Sequence, residues 1–138
     1  MCTLIEDTWL NEIQHGADAN AQETWERLKK AILEIQNENA SKLSFEENYR
    51  YAYNLVLWKH GRTLYEGVLR LIAEHLARLT NEIIAPTFPS GNLTDPITRG
   101  QQGEMLVKAV RTVWDKHNSS MRKLADILKY MVRWLSVS

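Results

Sequence analysis

Apolar side chains recur along the chain at helical spacing, and no stretch alternates as a strand would. The pattern predicts a helix from about Gln22 to Asn37, with Trp25, Leu28, Ile32 and Ile35 on one face. Asn20 can cap it, with Glu23 three residues on. NENAS, residues 37–41, reads as a turn. A second helix is expected from Ser44 to about Lys59 or His60. Ser44 and Glu47 have capping-box spacing, and Gly61 offers a stop. A third, Thr63 to Ile84, keeps Leu64, Val68, Leu71, Ile72, His75, Leu79 and Ile83 in period. Gly67 within it lowers local helix propensity by about 1 kcal/mol and permits a close crossing. Residues 85–103 hold all three prolines and three of the six glycines, so they read as a long exposed loop. A last helix is expected from Glu104 to Leu135. Its stripe is Val107, Val110, Trp114, His117, Met121, Leu124, Leu128 and Met131. Ahead of these, residues 1–20 form an N-terminal extension. Leu4, Ile5, Trp9 and Ile13 suggest a short helix there, broken at His15-Gly16. The expected architecture is an all-α bundle of about four main helices, one domain over residues 21–135 with a short tail at 136–138.

One helix carries more aromatic surface than a bundle contact needs. In SFEENYRYAYNLVLWKHG, residues 44–61, Phe45, Tyr49 and Tyr53 lie beside the apolar side that includes Ala52 and Val56. Tyr51 and Trp58 fall on another side. Tyrosines can bridge a core boundary, ring buried and hydroxyl wet. They can also anchor a protein interface, and the helical wheel alone does not choose. Tyr130 and Trp134, four apart in the last helix, face away from its main stripe and pose the same question.

Charge narrows the function classes. With 17 basic and 17 acidic residues the net charge is zero, which argues against broad attraction to nucleic acid or anionic membrane. Lys29-Lys30 and Arg122-Lys123 read as solvated helix faces. The one cysteine, Cys2, allows neither a disulfide framework nor a cysteine metal site. No secretory leader or membrane span is apparent, so the reducing interior of the cell, cytoplasmic or nuclear, is the expected compartment.

Catalytic chemistry is sparse. His15, His60, His75 and His117 form no HExxH, and there is no CxxC or EF-hand loop. RGQQG, residues 99–103, lacks the strand-turn-helix context of a phosphate loop. The alternative to a binding protein is a small helical metal protein or enzyme using His75 and His117. The balance of residues favours binding without a cofactor.

LSFEENYRYAYNLVLWKHGRTLY, residues 43–65, resembles the second-helix region of the cullin family, nearest its cullin-3 branch. WERLKKAILEIQNENASKLSFEENYR, residues 25–50, resembles the first helix and turn of the same repeat, and WDKHNSSMRKLADILKYMVR, residues 114–133, its later helix. The resemblance implies an amino-terminal cullin repeat, truncated relative to a whole cullin. It implies a non-catalytic scaffold piece of an E3 ubiquitin ligase that binds BTB-domain substrate adaptors, with no RING subunit bound by this segment. The contacts it implies are Leu43, Phe45, Glu46, Tyr49 and Tyr53 on the second helix, with Tyr130 and Arg133 later. It assigns Trp114, Leu124 and Leu128 to holding the repeat together. Two positions depart from the family pattern. Asn48 stands where leucine is usual, and Tyr51 where a small polar residue is usual. They bear on local packing and partner choice. A degenerate cullin relic without a partner is a second alternative, motivated by Asn48 and by the absence of the repeat's last helix from this segment.

Overall fold

The computed structural model describes residues 2–88 and 95–137, with side chains described from residue 19 onward. It is all-α. Five helices run α1 Cys2–Gln36, α2 Phe45–Leu57, α3 Gly61–Leu79, α4 Pro96–Ile127 and α5 Lys129–Val137. A widened π-type turn, Thr80–Ile84, and a 3-10 turn, Ala85–Thr87, extend α3. No strand occurs among the described residues.

The core is built from the positions the period selects on the first three helices. Leu28, Ile32 and Ile35 of α1 are sealed from solvent, as are Ala52 and Leu55 of α2 and Leu64 of α3. Each fully buried Leu or Ile among these stabilises by about 1.5–3 kcal/mol before entropy is counted. Helix α2 is central and packs on all four others. Gln36, buried at the end of α1, donates its Nε2 to the Leu71 carbonyl at 3.1 Å, tying α1 to α3.

The turns work through unexpected residues. Helix α1 ends at Gln36, where Glu38 takes a left-handed φ of 61°. The Asn39 amide then reaches the Glu34 carbonyl (2.9 Å) and the Glu38 amide reaches Ile35 (3.1 Å), the two bonds of a Schellman ending. Helix α2 ends the same way: Lys59 takes φ 66°, the His60 amide bonds Leu55 (2.9 Å) and the Lys59 amide bonds Val56 (3.1 Å). The expected stop at Gly61 is therefore displaced, and Gly61 is the buried first residue of α3.

Several other expectations are corrected. Helix α1 runs unbroken through His15-Gly16, so Asn20 lies inside it and caps nothing. The apolar positions of residues 2–18 lie outside the described side chains. Much of the predicted loop is helix, because Asp95-Pro96 starts α4. Asp95 accepts from the Ile97 amide (3.2 Å) and the Thr98 hydroxyl (2.9 Å), and proline fits the first helical position. Those bonds hold the Asp95 carboxyl below its ordinary range. Residues 89–94 lie outside the described residues.

The last predicted helix is two helices, broken at Leu128. Its stripe is also rotated. Ala109, Val113, Ser120, Leu124 and Ile127 are buried, whereas Val107, Val110 and Trp114 are exposed, Trp114 by 60%. Trp114 does not hold the bundle together; Leu124 and Leu128 do.

Candidate protein interface

Ser44 starts the helix that carries the aromatic surface. Its hydroxyl accepts from the Glu47 amide at 3.1 Å in the N-cap geometry the sequence predicts. Glu47 does not only serve the cap: its carboxylate accepts the Tyr51 hydroxyl. With α2 started at Phe45, the side of the helix containing Ala52, Leu55 and Val56 turns into the core. Tyr49 and Tyr53, one turn apart, lie along its edge with ring centroids 6.5 Å apart and planes within 25°.

The break at Leu128 positions the rest of the surface. Past it, α5 packs on α2 and α3, burying Met131 and setting Tyr130 against Tyr53 with centroids 4.4 Å apart. A glycine admits this packing. A β-carbon on Gly61 would come within 2.9 Å of the Trp134 ring, so only glycine lets α5 lie this close to the start of α3. Tyr130 and Trp134, which face away from the stripe of a single straight helix, are thus partly covered by neighbouring helices.

Tyr49, Tyr53 and Tyr130 consequently form one half-buried row across two helices. Phe45, 37% exposed, stands one turn before Tyr49. Glu46 is exposed and meets Arg50 at 3.5 Å, a surface pair worth a few tenths of a kcal/mol. Arg133 is exposed one turn beyond Tyr130. Leu43 lies in the turn before α2, where it packs at the core edge and lines a groove between α1 and α2.

The two departing residues belong to that groove. Asn48 is buried, and its Nδ2 donates to the Ser44 carbonyl at 2.8 Å, so it finds a polar partner where leucine would only fill space. Tyr51 is half-buried against the core and reaches α1. Its hydroxyl, and secondarily Glu23, which meets Arg27 at 2.8 Å, hold the Arg27 guanidinium above its ordinary range. Sequence reasoning missed the Tyr51–Arg27 link and the part played by Gly61. A tyrosine placed outside both the core arc and the aromatic edge was the available sign of the first.

The histidines converge only loosely. His75 is buried where α3 meets the end of α1, and burial pushes its pKa below the ordinary 6.5, with Arg78 adding to the effect. A bond to the Gln36 backbone opposes that shift, and His117 is near enough to add a further small lowering. Among the described residues no three His, Cys, Asp or Glu side chains gather where they could hold a metal ion. The His75/His117 site therefore lacks a third ligand there. Nor is any described helix long and apolar enough to cross a membrane.

The profile of the Cullin family, described as the cullin alpha solenoid domain, matches residues 25–137. The chain is 40% identical over 111 residues to Cullin-3 of Caenorhabditis elegans, covering 80% of this chain and 12% of that protein. It is 38% identical over 113 residues to Cullin-3B of Arabidopsis thaliana, covering 82% and 13%. It is 35% identical over 125 residues to Cullin-3 of Dictyostelium discoideum, covering 86% and 14%.

Proposed function

The chain belongs to the cullin family as a segment of its helical scaffold, and from that premise we propose that its tyrosine row docks BTB-domain adaptor proteins. Through them it would serve a cullin-type E3 ubiquitin ligase in the cytoplasm or nucleus. The chain spans roughly an eighth of the length of the relatives it matches, at 12–14% of each. Ligase activity and the RING subunit thus concern the whole protein, and the role proposed for this segment is recruitment without catalysis.

One observation carries the reading: Tyr130 of α5 meets Tyr53 of α2 at 4.4 Å, making a single aromatic surface from two helices. Rings held by their neighbours have already lost much of the side-chain freedom that binding would otherwise cost. Half-buried tyrosines also present area and hydroxyls together, the combination enriched at interface anchors. Glu46 and Arg133 at the margins can fix register by charge.

The test is a binding titration against a panel of BTB domains, with Tyr49→Ala and Tyr130→Ala checked for folding by circular dichroism. The expected result is binding by at least one domain, weakened by about 2 kcal/mol or more in each variant. Folded variants that bind every domain as the parent does would contradict the proposal.

A further inference from the structure

Where α1, the end of α2 and the start of α3 meet, the bundle leaves a cavity of about 190 Å³. It shares no lining residue with the tyrosine row or with the groove at Leu43. Ala21, Leu55 and Leu64 form its apolar floor, each of them buried. Trp25 forms a wall, and a glycine seats it. A β-carbon on Gly67 would stand 2.6 Å from the Trp25 ring, so only glycine lets the indole lie this close to α3. Trp25 and Thr63 also line a neighbouring groove, in which Lys29 and Arg70 balance Glu66 and Glu74. The indole therefore separates an apolar space from a charged one.

The chemistry of the lining narrows what the cavity can hold. It contains no carboxylate, lysine or arginine. Its polar side chains are Gln22, His60 and Thr63, none of them buried. Gln22 donates its amide nitrogen to Glu26 at 3.0 Å, which leaves its carbonyl oxygen to accept. The Thr63 hydroxyl can also accept.

We propose that this cavity is a binding site for a neutral, flat aromatic molecule of roughly indole size, carrying one N–H or O–H. An apolar cavity of about 150 Å³ takes benzene, so this one admits a somewhat larger ring. A charged ligand would leave its charge unpaired on the apolar floor. The indole wall favours an aromatic occupant, packed offset or edge-on. The ligand's N–H or O–H meets Gln22 or Thr63 and fixes its orientation, the usual division of labour in a mostly apolar site. The site is independent of what the tyrosine row binds.

The test uses indole, indole-3-acetate and tryptamine, titrated into the isotope-labelled full chain to about 5 mM, the range so small a ligand needs. Amide and methyl shifts are recorded. Indole should give saturating, one-site shifts at Ala21, Leu55, Thr63 and Leu64. The acidic and basic analogues should bind about tenfold more weakly or worse. Ala21→Leu puts added carbons into the cavity and should abolish the indole shifts in a chain shown to be folded by circular dichroism. Thr63→Phe obstructs the mouth from an exposed position that the core does not use. It should remove the shifts as well, and it decides the matter where Ala21→Leu does not fold. Absence of saturable indole shifts would overturn the proposal, as would shifts centred on the tyrosine row or spread over the surface. Equal binding of all three compounds, or indole shifts retained in either folded variant, would overturn it too.

Discussion

Tyr53 and Trp114 are both large rings on helices of the same bundle, yet their surroundings differ. Tyr53 meets the Tyr130 ring of another helix at 4.4 Å and stacks with Tyr49 one turn away. Trp114 is 60% exposed, and its ring neighbour, His117 at 6.2 Å, is on its own helix. Val107 and Val110 are exposed beside it. The row spans a helix junction and depends on how α5 is set; Val107, Val110 and Trp114 are exposed on a single helix. Apolar exposure alone therefore does not mark a binding surface. Anchors braced by neighbouring elements are the stronger candidates, since their shape is fixed before a partner arrives.

The comparison breaks most severely if the junction beneath the row is hollowed. Ile127→Ala, at a fully buried side chain just before the α4–α5 break, should lower stability by about 2–5 kcal/mol. Chemical denaturation checks this, and the same truncation at exposed Val110 should change stability by less than about 0.5 kcal/mol. Next in size is Gly61→Val. Its added carbons meet the Trp134 ring, so a loss of about 1–3 kcal/mol is expected, together with weakened adaptor binding as α5 shifts. Gly103→Ala on α4 meets nothing within 4 Å and should stabilise by up to about 1 kcal/mol. A double-mutant cycle on Tyr53 and Tyr130, read by thermal unfolding, should give a coupling of about 0.5–1.5 kcal/mol. Trp114→Ser should fall within about 0.5 kcal/mol of the parent.

Acid provides a milder probe of the other end of the bundle. The pKa of His75 is depressed in the folded chain, so above the ordinary 6.5 neither folded nor unfolded chain holds the proton, and the contribution of His75 to stability is complete. Below 6.5 the unfolded chain takes it up first, and stability falls with pH until the folded pKa is passed. Denaturation midpoints compared between about pH 7.5 and pH 5.5 should drop more in the parent than in His75→Gln.

The first three helices were legible because their large aliphatic residues mark the buried face unambiguously: Leu28, Ile32 and Ile35, then Leu64, Val68 and Leu71. Helix α4 was misread for the opposite reason. Its buried seam includes the small residues Ala109 and Ser120, while the bulkier Val107, Val110 and Trp114 lie outside. Weighting a stripe by size rotated it. The break at Leu128 carries neither glycine nor proline; it is set by packing of α5 on α2 and α3, which no local sequence feature records. Asp95-Pro96 was a readable helix start, obscured by the glycines that follow. Lys59 and Glu38 took the left-handed positions that glycine usually fills, so Gly61 was read as a stop when its use is to admit Trp134. Of the candidate site, Tyr49 and Tyr53 follow from spacing on one helix. The placement of Tyr130 beside them needed the break, and the groove at Leu43 needed the turn of α1 into α2.

The central claim is that a partner covers the braced row and leaves the α4 stripe bare. The most direct measurement is hydrogen–deuterium exchange and side-chain footprinting of the chain with and without a bound BTB domain. Protection is predicted at Tyr49, Tyr53 and Tyr130, with the Trp114 indole unchanged. Protection of Trp114 and Val110 while the three tyrosines stay as accessible as in the free chain would contradict the account.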